Sequence, residues 1–255
     1  MFPPAKKIKK TRLDNLLVDR GLAASRTKAQ ALIMAGKVLV DGRLVDKAGK
    51  EVDPESEVTL KEGIPYVSRG GVKLAGFLDE FNLDVSGLVV LDVGASTGGF
   101  TDCLLQRGVS RVHAVDVGRG VVDLKLREDP RVHLLEGRNI RHLDPGEVGE
   151  EVDLAVIDVS FISLEKVLPV VKGFVKEGGR VLALVKPQFE VGKGEVGKGG
   201  IVRDPEKHRK VLERIEDFSR RIGLEPIARS ESPIKGAKGN REFWVYMGKA
   251  LDKGL

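Results

Sequence analysis

The chain of 255 residues has one cysteine, Cys103. It cannot close an internal disulfide, which suits a reducing cytoplasm. The four histidines are scattered and, with a single thiol, give no metal-ligand spacing, so no metal is expected. No stretch approaches the ~20 uninterrupted apolar residues of a membrane span. The leading MFPPAKKIKK is basic but lacks the apolar segment of a secretory signal. These absences argue against a disulfide-stapled domain, a metal centre and a membrane-spanning protein.

What is present is ordinary in bulk and uneven in detail. The chain is 41% hydrophobic and 32% charged, as expected of one large globular domain or a large domain with a small companion. Formal net charge is +5. Through Lys61 there are 13 basic against 8 acidic residues, and beyond it 30 of each, so the whole excess lies in the first quarter. That placement suits attraction to a polyanion; a merely basic surface is the alternative.

The first quarter reads as a small domain. TRLDNLLVDRGL spaces Leu13, Leu16, Leu17 and Val18 near helical periodicity, with Gly21 as a stop. ASRTKAQALIMAGK opens with Ser25 as an N-cap and closes at Gly36. KVLVDGRLV sets two apolar runs around Asp41-Gly42, a hairpin signal. Arg26 and Lys28 fall in the first turn of the second helix, where cations oppose the helix dipole. Either a bound phosphate favours them there or they form a solvated face.

Three sequence features together, Arg12-Leu13-Asp14, Ser25-Arg26 and Gly36-Lys37-Val38 with Val40-Asp41-Gly42, make residues 11–60 resemble the RNA-binding fold of ribosomal small-subunit protein four. The resemblance implies an α+β module binding structured RNA through the second helix and the hairpin, with Arg12, Arg26, Lys28 and Lys37 as contacts.

Residues 1–61 are thus expected to form the RNA-binding domain, 62–67 a linker and 68–255 a second domain. In the latter, GLVVLDV, RVHAVDV, VHLLEG, DLAVIDV and GRVLALVK are apolar runs suited to buried strands. Helical stretches alternate with them, including SLEKVLPVVKGFVK and the segment starting at Asp204-Pro205. Two late strands lie near LEPIARS and EFWVYMG. This alternation predicts an α/β sheet covered by helices on both faces. EVGKGEVGKGG reads as a mobile loop.

The turn after the first strand, LDVGASTGGF, holds the functional clue. No Gly-Lys-Ser/Thr follows it, so it is not a P-loop. Its glycines are spaced Gly94-x-x-x-Gly98-Gly99, which also departs from the dinucleotide fingerprint. Asp116 ends the second strand, where a carboxylate can grip ribose hydroxyls. The turn has no cation to neutralise a pyrophosphate, and it offers two acids, Asp92 and Asp116. A nucleoside carrying a cationic centre fits better, and S-adenosylmethionine is such a ligand. A tight turn without a ligand is the plain alternative.

The methyl acceptor is the next question. Cys103 lies in the helix after the turn, a poor place for a nucleophile and a good one for a core thiol. Asp158-Val159-Ser160-Phe161 lacks the prolines common where base amines are methylated. A ribose hydroxyl needs a base, or a cation favouring the alkoxide, in line with the methyl carbon. Lys186 directly follows a buried strand, and Asp158 ends another at the same sheet edge.

Five motifs, SRGGVKL, DVGASTGGFTD, DVSFISL, KPQFE and NREF, make the chain from Ser68 onward similar to the FtsJ-like 2′-O-methyltransferases. With the module in front, nearly the whole chain resembles the TlyA family of rRNA 2′-O-methyltransferases. The resemblance implies a Rossmann-like class I methyltransferase fold and a Lys-Asp-Lys-Glu tetrad at Lys73, Asp158, Lys186 and Glu242. It implies cofactor contacts at Gly94, Ser96, Thr97, Gly98, Gly99 and Asp116, with Asn139 near the adenine. It further implies methylation of a cytidine 2′-hydroxyl in ribosomal RNA or ribosomal subunits by a cytoplasmic enzyme with no membrane partner. Lys186 would activate the hydroxyl, Asp158 would orient Lys186, and Lys73 with Glu242 would position the ribose. Phe100, Phe161 and Phe189 are candidates to wall the pocket or stack a flipped base, with core packing as the alternative. Lys193, Lys198 and Arg203 are candidate phosphate contacts. Two other classes stay open: a membrane-active haemolysin-like protein, and an RNA-binding protein with an inactive methyltransferase fold.

Overall fold

The computed structural model describes residues 10–34, 36–60, 64–192, 194–236 and 238–251. The chain divides into two units, one ending at Pro65 and the other beginning at Tyr66. Residues 62 and 63 of the expected linker lie outside the described residues.

In the first unit, β1 (Thr11–Arg12) leads into α1 (Leu13–Asp19), followed by α2 (Arg26–Met34). The Ser25 hydroxyl accepts from the Lys28 N–H at 3.3 Å, as its N-cap reading requires. Strands β2 (Val38–Val40), β3 (Arg43–Leu44), β4 (Glu51–Val52) and β5 (Val58–Leu60) complete it. The three-stranded sheet runs β3-β2-β5, and β4 pairs with β1. Between β2 and β3, Asp41 and Gly42 both take positive φ, 49° and 73°. That is the tight hairpin turn whose twist matches the strands, and glycine adopts it without steric cost. Leu13, Leu17, Ala29, Ile33, Val38, Val52 and Val58 form the core of this unit.

The second unit opens with α3 (Arg69–Glu80) and then alternates: β6 (Val89–Val93), α4 (Gly99–Gln106), β7 (Arg111–Asp116), α5 (Leu124–Arg127), β8 (Val132–Glu136). It continues through α6 (Pro145–Val148), β9 (Val152–Ile157), α7 (Leu168–Lys172), β10 (Val175–Val185), α8 (Pro187–Glu190), α9 (Pro205–Arg221), β11 (Leu224–Glu231) and β12 (Phe243–Lys249). The seven strands order as β11-β12-β10-β9-β6-β7-β8. All contacts from β10 to β8 are parallel, and β12 is antiparallel to both β10 and β11.

The continuous apolar runs are explained by burial on both faces. Along β10, Val181, Ala183 and Val185 pack with Leu168 of α7 and Leu212 and Ile215 of α9. The alternate residues Leu182 and Leu184 pack with Leu74 and Phe77 of α3 and Leu104 of α4. Helix α9 is strongly amphipathic, and its apolar residues Val211, Leu212 and Ile215 are buried in that core rather than free to meet a membrane. Among the described residues, no helix is long and apolar enough to cross a membrane.

Two sequence expectations are corrected here. The helix expected across SLEKVLPVVKGFVK stops at Lys172, and Val175 already belongs to β10. Val175 stands opposite Val152, whose N–H donates to the Phe174 carbonyl at 2.8 Å. Gly173 caps the helix, and Phe174 and Val175, both buried, have the β preference that suits the strand starting there. The glycine-rich loop is tied down in its described part. Lys198–Gly200 make a tight turn with Gly199 and Gly200 at positive φ, 77° and 78°, and the Asn240 side chain holds its C-terminal end. Asn240 accepts from the Val202 N–H at 3.0 Å and donates to the Gly200 carbonyl at 2.9 Å.

Candidate active site

The parallel strands end in their loops along one edge of the sheet, the usual ligand edge of this architecture. A cavity of about 950 Å³ opens there, lined by residues that include Gly94, Ser96, Asp116, Asn139, Asp158, Phe161 and Phe189. A second cavity of about 390 Å³ is lined by Lys73, Ser160, Phe161, Lys186, Phe189 and Glu242, among others. The two share Ser160, Phe161 and Phe189 as walls.

Close backbone approach shapes the first cavity. Gly94 has φ +86°, and a Cβ built on it would meet the Asp158 carbonyl oxygen at 2.6 Å. Only glycine lets the end of β6 sit so near the end of β9. The Asp116 carboxylate organises the turn: its Oδ2 accepts from the Ser96 N–H and its Oδ1 from the Gly118 N–H, each at 2.7 Å. Each oxygen keeps a second lone pair, so Asp116 can still receive hydroxyl donors. Asn139 caps a short helical turn by accepting from the Arg141 N–H at 3.1 Å.

Four of the eight expected cofactor contacts therefore line the large cavity: Gly94, Ser96, Asp116 and Asn139. Thr97, Gly98 and Gly99 are not among its lining residues; Gly98 caps α4 and Gly99 begins it. Asp92 is a correction. It sits in mid-strand, fully buried, with Oδ2 accepting from the Thr101 hydroxyl at 2.7 Å. Its Oδ1 has no hydrogen-bond partner among the described residues. Burial pushes its pKa up to about 7, against the Thr101 hydrogen bond. It lies behind the turn rather than in the cavity, because the strand alternation turns it toward the face covered by α3 and α4.

The four expected catalytic residues form two ion pairs. Lys186, which follows β10, places Nζ 2.6 Å from Asp158 Oδ1 and donates a hydrogen bond to Ser160 Oγ at 2.9 Å. The approach to Asp158 is ionic, outside hydrogen-bond geometry, and Ser160 takes the directed bond. Lys73 on α3 donates to Glu242 Oε2 at 2.6 Å across 169 positions of sequence. Lys73, Lys186 and Glu242 are each less than 10% exposed. Two cations and two anions thus leave water together, each held by its opposite, which is the condition for burying charge.

Phe161 is unusual. It is 89% exposed and has φ +63°, a strained backbone for a side chain of that size. Its ring lies 4.8 Å from that of Phe189, and Lys186 Nζ is 5.9 Å from the Phe189 centroid. Phe100, by contrast, is buried against Trp244 at 5.5 Å and serves the core. Cys103 is buried as well, and desolvation raises its thiol pKa, as suits an inert core residue.

In the first unit, two expected RNA contacts are corrected in part. The buried Asp14 carboxylate accepts from Arg12 at 2.8 and 3.0 Å, from Arg26 at 3.0 Å and from Gln30 at 2.9 Å. These partners, Arg12 first, hold Asp14 well below the usual carboxylate range. Arg12 and Arg26 are therefore anchored by a structural acid, though both guanidiniums remain about half exposed. Lys28 and Lys37 are exposed, without an ion pair among the described residues. Lys198 and Arg203 are exposed too, and Lys193 lies outside the described residues.

Sequence reasoning gave no role to Ser160, Glu190 or Asn240. Their signal was membership of the quoted motifs: Ser160 stands in DVSFISL, Glu190 in KPQFE and Asn240 in NREF.

Comparison with known proteins agrees with this architecture. Residues 66–249 match the FtsJ-like methyltransferase family, and residues 11–58 match the S4 domain. YqxC of Bacillus subtilis is 47% identical over 94% of this chain and 86% of its own length. The 16S/23S rRNA (cytidine-2′-O)-methyltransferase TlyA of Mycobacterium tuberculosis is 43% identical over 97% of this chain and 93% of that protein. A solved Streptococcus thermophilus structure carrying a hemolysin designation has a TM-score of 0.74 at 42% identity, covering 96% of this chain and 92% of that one. Matches of this extent place the chain in the TlyA family of FtsJ-like methyltransferases, with an S4 domain preceding the methyltransferase fold in the sequence.

Proposed function

We propose that this chain methylates the 2′-hydroxyl of a cytidine in ribosomal RNA, presented as free RNA or within ribosomal subunits, in the cytoplasm. The observation that carries the reading is the Lys186–Asp158 pair at the meeting of two cavities. A hydroxyl is a poor nucleophile at neutral pH, and the pair supplies a proton acceptor at a fixed place.

The large cavity fits S-adenosylmethionine. Asp116 would hold the ribose hydroxyls, the Gly94–Ser96 turn would pass close along the methionine end, and Asn139 would meet the adenine. The bound cofactor supplies an electrophilic methyl carbon on a cationic sulfur. The smaller cavity takes the target ribose. Once its ammonium has given up a proton to solvent, Lys186 Nζ takes the 2′-hydroxyl proton, while Asp158 and Ser160 keep the amine from turning away. The Lys73–Glu242 pair lines the same cavity and positions the sugar. Phe161 and Phe189 offer ring faces for a base rotated out of its stack. In the first unit, Lys28 and Lys37 supply phosphate contacts, with Arg12 and Arg26 offering the exposed edges that Asp14 leaves free.

The test uses purified protein, intact ribosomal subunits and methyl-labelled cofactor. A 2′-O-methyl blocks alkaline cleavage of the adjacent phosphodiester, so label should appear in alkali-resistant dinucleotides with cytidine on the 5′ side. Label recovered in mononucleotides with a modified base would overturn the assignment. Cofactor-independent leakage of liposomes, with no RNA labelling, would favour the haemolysin-like reading.

A further inference from the structure

Glu190 is a buried acid that the proposed chemistry does not use. It ends α8, the single helical turn that begins immediately after Lys186. Its side chain is almost fully enclosed, and burial raises its pKa against hydrogen bonds from Leu164 and Ser163. Oε1 accepts from the Leu164 N–H at 2.8 Å, and Oε2 accepts from the Ser163 hydroxyl at 2.7 Å. Arg214 of α9 donates to Oε2 at 3.1 Å and to the Glu190 carbonyl at 2.7 Å, and also pairs with Glu165 at 3.2 Å.

These bonds join two segments. One carries Lys186; the other, 158–164, carries Asp158, Ser160 and the strained Phe161. The second segment is fixed at its start by the Asp158 N–H on the Val93 carbonyl, at 2.9 Å. At its far end the Leu164 N–H rests on Glu190. Two bridges therefore span the same gap. Lys186 to Asp158 and Ser160 is the reactive bridge, and its bonds must change when the amine accepts a proton. Glu190 to Ser163 and Leu164 uses other atoms and takes no part in that proton transfer.

We infer that Glu190 is a positioning residue for methyl transfer: its carboxylate clamps the 158–164 segment against α8, so that Asp158, Ser160 and Phe161 keep their places around Lys186 through turnover. The inference rests on the proposed ribose methylation for its kinetic part, and on geometry alone for the clamp. Displacement of reacting groups by about 1 Å can cost roughly 100-fold in rate, so loss of one of two bridges is expected to be visible in kcat.

The experiment compares Glu190→Ala, Glu190→Gln and Ser163→Ala in the full chain, with ribosomal subunits and labelled cofactor. Glu190→Ala should lower kcat by at least about tenfold and raise the KM for cofactor by a smaller factor, because the 158–164 segment also lines the large cavity. Amide hydrogen exchange should show lost protection at Leu164 but not along β6. Glu190→Gln keeps an acceptor for the Leu164 N–H and should recover most of the rate and the protection. Ser163→Ala removes one bond and should give a smaller loss of kcat in the same direction, which keeps a readout if the alanine variant at Glu190 does not fold. Wild-type kcat in Ser163→Ala and in Glu190→Ala would overturn the inference, as would lost activity with Leu164 still protected. Failure of the wild-type protein to methylate RNA would sink the proposed function instead, and the exchange data would still decide the clamp.

Discussion

The two units use their cations in opposite ways. In the small unit, Lys28 and Lys37 stand in solvent, and even the anchored Arg12 and Arg26 keep exposed edges. In the large unit, Lys73 and Lys186 are enclosed and each touches a carboxylate at 2.6 Å. Exposed cations act on a polyanion at a distance, are screened by salt and contribute little to the fold. Enclosed pairs feel little screening and are fixed in geometry, and removal of one partner strands the other. The proposed function uses this difference, with binding given to the exposed set and chemistry to the enclosed one.

The acids show the same lesson. Asp14 and Asp92 are both fully buried. Asp14 has two arginines and Gln30 as partners, and its pKa falls. Asp92 is hydrogen-bonded by Thr101 alone among the described residues, and burial raises its pKa to about 7. The Arg12 guanidinium first of all pulls one carboxylate down, while burial, outweighing a single Thr101 partner, pushes the other up.

On stability and binding, the sharpest break of this contrast is Lys73→Ala. It leaves Glu242 buried without its cation and should cost about 3–5 kcal/mol in denaturant unfolding. Lys28→Ala should leave the unfolding midpoint unchanged; a comparable loss in both would erase the distinction between the two sets.

Next in size is the pH response of Asp92. Its folded pKa lies above the unfolded value of 3.8, so the folded state binds the extra proton. The sign follows: this group costs nothing below about pH 4, and stability is lost progressively as pH rises from there to about 7. The shift bounds the cost at roughly 4 kcal/mol. Asp92→Asn should flatten the difference between unfolding free energies at pH 5 and pH 8. Asp14 runs the other way, and its contribution is lost as pH falls through the acid range. An unchanged pH difference in Asp92→Asn would show that Asp92 is not the source.

The smallest effects belong to the exposed lysines. Lys28→Ala and Lys37→Ala should each weaken binding to ribosomal RNA by about 1 kcal/mol or less and lower the salt slope by roughly one. A steeper slope, or a loss independent of salt, would contradict their placement on phosphates.

Much of the large unit was legible because strands covered on both faces leave continuous apolar runs, and because Asp158 and Lys186 each directly follow such a run. Lys73 was not legible from position. It lies on a helix, and its partner Glu242 stands 169 residues away, so only resemblance to a family pointed to it. Asp92 misled because its place beside the glycine turn suggested the cavity, whereas strand alternation turned it inward. Arg12 and Arg26 carry a second role that the sequence left hidden: a sequence does not separate a free cation from one folded onto an acid, although Asp14 stood two residues from Arg12. The end of α7 was legible in Gly173, and Phe174 and Val175 favour a strand, but the apolar spacing ahead of them carried the helix reading too far.

The most direct test of the account separates binding from chemistry in Lys186→Ala. Equilibrium binding of S-adenosylmethionine and single-turnover methyl transfer to ribosomal subunits are measured on the same preparation. The account predicts cofactor affinity close to wild type and transfer reduced by roughly 1,000-fold or more, the scale of a lost general base. Transfer at the wild-type rate, or a loss explained entirely by weaker cofactor binding, would contradict it.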